Sequence, residues 1–129
     1  MKTDLDTRRI TASADREKLV IRYYTAAVLC LAFEKLNVYI FGSQLAALQR
    51  LNTRGGIGAD QSEILTLFFA PAKAQFPQVY KAYSFEQWLQ YLLARDVIVR
   101  NATRLVITAE GKEFLKYLVD QGYSLVRLS

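Results

Sequence analysis

From residue 13 onward, apolar side chains recur at alternating spacings of four and three: Leu19, Tyr23, Ala26, Cys30 and Phe33. This is a heptad-like helical seam, and its five residues are the candidate dimer interface. Ser13 can cap it, and Asp15 and Glu17 suit the positive end of a helix. A second face, Ile21, Tyr24, Val28 and Leu31, is also apolar, and a helix apolar on two faces has to be covered on both. Either it lies in the middle of its own domain, or one face packs on the domain and the other on a second copy. A chain this short rarely surrounds a central helix, so the second copy is the favoured reading. Residues 13–40 are therefore expected to carry a long apolar dimerisation helix, preceded by a flexible tail, 1–12, in which charges and threonines dominate.

The pattern then shortens. In "FGSQLAALQRLNTRGG", Phe41, Leu45, Leu48 and Leu51 share a stripe that stops at Gly55 and Gly56. In "ADQSEILTLFF", Asp60 and Glu63 have capping-box spacing, and Ile64, Leu67 and Phe68 are expected to face inward. Pro71 and Pro77 punctuate the next stretch too heavily for one long helix, although Pro71 can open a short turn. Ser84 and Gln87 form another capping box before "FEQWLQYLLARD", whose apolar face is Phe85, Trp88 (or Leu89), Leu92 and Leu93. Two β-branched runs, Val97 to Arg100 and Arg104 to Thr108, flank "NAT" and predict a tight hairpin. A last helix runs from Thr108 to about Gly122, leaving 123–129 as a tail. Gly111 stands in its first turn, where alanine would be better by about 1 kcal/mol. We expect Gly111 to be buried, its missing side chain allowing close backbone packing. The fold class expected is mostly α with a small β-hairpin.

Composition narrows the chemistry more than it defines it. The 129 residues carry a net charge of +5, which favours nucleic acid first and an anionic membrane second. The longest uncharged stretch of the apolar N-terminal segment, Tyr23 to Phe33, is far short of the roughly 20 residues of a membrane span, so no membrane partner is expected. A single cysteine, Cys30, cannot form an internal disulfide; it reads as a small buried hydrophobe in a cytoplasmic protein. There is no histidine, which removes Ser–His and Cys–His pairs and the commonest general base and metal ligand. We expect no enzyme, no cofactor and no metal. "TRGGIG", from Thr53 to Gly58, lacks the Gly-Lys-Ser/Thr ending of a phosphate loop. Tyr80, Tyr83 and Tyr91 could line a pocket, but core packing is the commoner fate of such residues.

Three stretches, "QLAALQRLNTRGGIGADQSEI", "FEQWLQYLLARDVIVR" and "LVITAEGKEFL", together resemble the winged helix-turn-helix superfamily, in the arrangement of MarR-like and PadR-like bacterial regulators. The resemblance spans 41–122. It implies that the third helix enters the major groove of double-stranded DNA and that the wing touches the backbone or minor groove. On that reading Glu86, Gln87, Gln90, Tyr91 and Ala94 face the groove, and glutamine can pair with adenine. Glu86 would repel phosphates unless it met a cytosine amino group. Arg100 and Arg104 would flank the wing tip as phosphate or minor-groove contacts, with Lys73, Lys81 and Arg95 around the groove. The functional expectation is a homodimeric transcriptional regulator. The alternative is a winged-helix interaction or assembly module that binds no DNA, since fold alone does not set function.

Overall fold

The computed structural model describes residues 27–127, which are mostly helical with a small three-stranded antiparallel sheet. The predicted cap at Ser13 and the seam residues Leu19, Tyr23 and Ala26 lie outside the described residues. Helix α1 occupies 27–39. Every residue from 27 to 32 in it is exposed, Cys30 included, so in the single chain Cys30 is not the buried hydrophobe expected. Phe33, the other described seam residue, is buried. The chain divides into two compact units at Lys35–Leu36, and the second unit carries the sheet and the remaining helices.

Helix α2, Gly42–Arg54, buries Leu45, Leu48 and Leu51 as its stripe requires, and ends at Gly55. After a single 3₁₀ turn, Gly55–Ile57, the chain makes an unpredicted two-residue strand, β1, Ala59–Asp60. This adds a third strand to the hairpin expected from sequence, giving a sheet in the order β1-β3-β2, with Ala59 opposite Leu105 and Asp60 opposite Arg104. Gly58 makes the join: its φ is +66°, and a Cβ there would lie 2.0 Å from the Leu105 carbonyl oxygen.

Helix α3, Gln61–Ile64, is capped by Asp60, which accepts from the Ser62 amide at 2.9 Å. The predicted capping box does not form. Glu63 turns away to pair with Arg50 at 3.3 Å and Arg54 at 3.1 Å. The helix then widens into a π segment, Leu65–Phe69, before α4, Ala70–Gln75. The wide turn rotates the inward face relative to a 3.6-residue period. Ile64 and Phe69 are therefore buried, whereas Leu67 is exposed and Phe68 only half-buried, contrary to expectation. It also explains how the helix runs through Pro71. The Ala70 amide reaches back to the Leu65 carbonyl, which eases the clash a proline ring makes with the carbonyl four residues earlier.

A short α5, Pro77–Tyr80, leads to α6, Phe85–Ala94, with Trp88, Leu89 and Leu92 fully inward. Phe69 packs its ring against Tyr80, Phe85 and Trp88, at centroid distances of 5.8, 5.5 and 5.9 Å. Strands β2, Ile98–Asn101, and β3, Arg104–Ile107, turn through Ala102 and Thr103, with Ala102 at φ +55°. Helix α7, Ala109–Asp120, starts as predicted: Thr108 caps it, accepting from the Gly111 amide at 3.0 Å. Gly111 is buried, and a Cβ there would meet the Val97 carbonyl oxygen at 2.2 Å. The C-terminal stretch is tied down rather than loose. Gln49 donates to the Leu125 carbonyl at 2.9 Å, and Arg127 donates to the carbonyl and side-chain oxygens of Asn37.

Candidate nucleic-acid interface

The surface formed by α6 and the β2–β3 hairpin collects most of the predicted site residues. Its inner side is fixed by two polar residues that sequence reasoning passed over, Ser43 and Gln44 of α2, both buried. Gln44 donates to the Trp88 carbonyl at 3.0 Å and accepts from the Phe41 amide at 2.8 Å. The Trp88 indole donates to Ser43 Oγ at 3.0 Å, and the same hydroxyl meets the Tyr80 hydroxyl at 2.6 Å. Each polar group in this buried chain is thereby satisfied, and α6 is held along one face. Tyr80 is a core residue, its ionisation disfavoured mainly by burial.

The outer side presents Glu86, Gln87, Gln90 and Ala94, all exposed, with Tyr91 half-buried. These side chains are not idle. Gln87 closes the predicted capping box: it accepts from the Ser84 amide at 2.9 Å, and its own amide donates to Ser84 Oγ at 3.1 Å. Gln90 donates to Glu86 at 3.3 Å. Arg100 grips both carboxylate oxygens of Glu86, at 2.9 and 3.1 Å. The Arg100 and Gln90 bonds hold the Glu86 carboxyl below its usual range, and Glu86 in turn raises Arg100.

Arg100 and Arg104 are not a pair across the hairpin. In the register, Ile98 faces Ile107 and Arg100 faces Leu105, so Arg100 shares the core-side face of the sheet. Arg104 faces Asn101 on the other side, where it donates to the Ile57 carbonyl at 2.6 Å. The parity was available in the sequence: Arg100 is in phase with Ile98, and Arg104 with Val106. What the sequence lacked was any sign of a third strand for Arg104 to brace.

The remaining cations lie round the edges. Lys81 is exposed, Lys73 places its ammonium 5.9 Å from the Phe69 ring centroid, and Arg95 lies 4.9 Å from that of Tyr91. Tyr83 and Tyr91 do line a cleft, with Tyr39, Phe41, Gln44 and Arg95, of about 410 Å³. The Tyr91 hydroxyl is sealed from solvent, and burial raises its pKa against the opposing influence of Arg95. Among the described residues no cluster of acids or cysteine could hold a metal ion, and no helix is long and apolar enough to cross a membrane. Comparison with protein-family models, curated proteins and solved structures finds no match to this chain.

Proposed function

We propose that residues 41–122 form a winged helix-turn-helix domain that binds double-stranded DNA, and that the protein is a homodimeric transcriptional regulator of the bacterial, cytoplasmic kind. One observation carries this reading. The strand β1, between α2 and α3, closes on β3, the far strand of a hairpin that follows α6 directly. The β1–β3 pairing braces the hairpin, Arg100 ties it to Glu86 of α6, and the polar side of α6 stays exposed. A groove-reading helix needs that rigidity, because its side chains have to meet base edges in a fixed register. Of the expected dimer seam, Cys30 is exposed on α1 beside the apolar Val28, Leu29 and Leu31 and is available for the contact between copies, whereas Phe33 is buried within the chain.

A second reading, a winged-helix interaction module without DNA, is favoured by the Glu86–Arg100 pair. It cancels the wing's charge on the core-side face, and Arg104, on the other face, stands opposite the Asp60 carboxylate, whose charge it offsets. The two are separated by titrating the full chain against fluorescent duplex DNA from low to moderate salt. DNA binding predicts an affinity that falls with salt, and an Arg100→Ala/Arg104→Ala variant whose log–log slope is shallower by about 2. No binding at low salt would sink the regulator reading, and an unchanged slope would remove the wing contacts.

A further inference from the structure

We propose that Glu86 is the residue that makes this surface selective, by exchanging partners on DNA. In the free protein its carboxylate holds Arg100; on DNA it releases Arg100 to a phosphate and accepts from a cytosine amino group. The proposal rests on the DNA-binding reading above and names the base class that reading leaves open.

The geometry makes the two states exclusive. Arg100 spends both terminal nitrogens on the two oxygens of Glu86, and the fork that grips a carboxylate is the one that would grip a phosphate. The exchange is easy, because the pair is open to water: the Glu86 side chain is 57% exposed and that of Arg100 is 28% exposed. A phosphate array, which also gains by releasing its counterions, is a stronger competitor than one solvated carboxylate.

Once Arg100 leaves, Glu86 keeps only the Gln90 amide, at 3.3 Å. It is the one carboxylate in α6, and it sits in the first turn of that helix on the open side. A bare carboxylate facing the major groove is repelled by the phosphates and finds no donor on the guanine or thymine edges there. Cytosine N4 supplies a donor unopposed by a neighbouring acceptor on the same base. Adenine N6 is a donor too, but its adjacent N7 is an acceptor that opposes a carboxylate. Glu86 therefore acts chiefly by rejecting sequences that offer nothing to replace Arg100.

The test is a binding selection from a randomised duplex pool, with the wild-type chain, Glu86→Gln, Arg100→Ala and the double variant. Glu86→Gln is expected to bind mixed-sequence DNA about two- to fivefold more tightly and to lose a cytosine preference of about tenfold at one position. The affinity gain should shrink when Arg100 is already alanine, since no guanidinium is left to release. A gain of equal size in both Arg100 backgrounds would overturn the exchange, because Glu86 would then act by its own charge alone. Wild-type binding with an unchanged base preference in Glu86→Gln would overturn the selectivity while leaving DNA binding intact. Failure of all four proteins to bind at low salt would overturn DNA binding itself, and this proposal with it. Thermal unfolding of each variant establishes that the compared proteins are folded.

Discussion

Gly58 and Gly111 both press against a backbone carbonyl, yet they stand in opposite relation to their surroundings. Gly111 is an ordinary helical residue in the first turn of α7, and it needs only space: the Val97 carbonyl and the Ile107 side chain occupy the volume a Cβ would take. Gly58 needs space and conformation together. Its backbone, at φ 66° and ψ −155°, is in a region that side chains other than hydrogen rarely allow, and the Leu105 carbonyl lies where a Cβ would go. One glycine seats a helix on the sheet; the other lets the chain turn into the sheet's third strand. The contrast teaches that a glycine's role is visible in sequence only when its neighbours make it look misplaced. Gly111 interrupts a good helix and draws notice, whereas Gly58 follows two other glycines and passes for loop.

The largest effect is therefore expected at Gly58. Replacing it with alanine combines backbone strain with a clash against a carbonyl that is itself fixed by the β1–β3 pairing, and should cost about 4 kcal/mol. Denaturant unfolding measures it. A loss under about 1 kcal/mol would mean that β1 contributes little, and that the sheet is in effect the bare hairpin read from sequence. Gly111→Ala is expected to cost less, about 2 kcal/mol, because the overpacking is partly offset by alanine's better helix propensity. A cost equal to that of Gly58→Ala would show that close approach alone decides both sites. A stabilising Gly111→Ala would contradict the packing argument for α7.

Much of the fold was legible where a single local rule governs a stretch. The Ser84–Gln87 box starts α6, Thr108 starts α7, and alternation sets the hairpin; each operates between residues a few positions apart. The misreadings share a different cause. A period of 3.6 turns Leu67 and Phe68 inward, but their segment widens to a π turn before Pro71. A strand of two residues, Ala59–Asp60, has no period to detect, and only its partner on β3 defines it. The candidate site was legible as a set of residues but not as a surface. Gln87, Gln90 and Arg100 belong to one face, but the bond between Arg100 and Glu86 depends on which side of the sheet Arg100 occupies. Arg104 lies on the opposite face of the sheet by its parity with Val106, and there it meets the Ile57 carbonyl of the turn before β1. Ser43 and Gln44 were missed as small polar residues at the start of a helix, whose buried partners, Tyr80 and Trp88, lie about forty positions away.

The smallest expected effect distinguishes the two junctions by pH. Beside Gly58, the Asp60 carboxylate accepts from the Ser62 amide and hydroxyl at 2.9 and 2.7 Å and from the Thr103 hydroxyl at 3.0 Å. These bonds hold its pKa below the usual value, the Ser62 side chain contributing most. A carboxylate with a lowered folded-state pKa contributes stability above its ordinary titration range, and that contribution is lost as pH falls through the lowered value. Beside Gly111 the corresponding cap is Thr108, whose hydroxyl accepts from the Gly111 amide and donates to the Asp96 carbonyl at 2.5 Å, and it has no proton to gain in that range. The junction at β1 should therefore weaken as pH falls below the ordinary aspartate range, while the α7 junction does not. Amide hydrogen exchange across pH 5 to about 3 reads this directly: protection of Gln61, whose amide donates to the Thr103 carbonyl at 2.7 Å, should fall in acid relative to Lys112, whose amide donates to the Thr108 carbonyl at 3.1 Å. In Asp60→Asn the acid-dependent part of that difference should disappear, because asparagine keeps an acceptor oxygen but does not titrate. An equal loss of protection at both amides, or a pH dependence that survives in Asp60→Asn, would show that acid acts on the whole domain and not through the Asp60 cap.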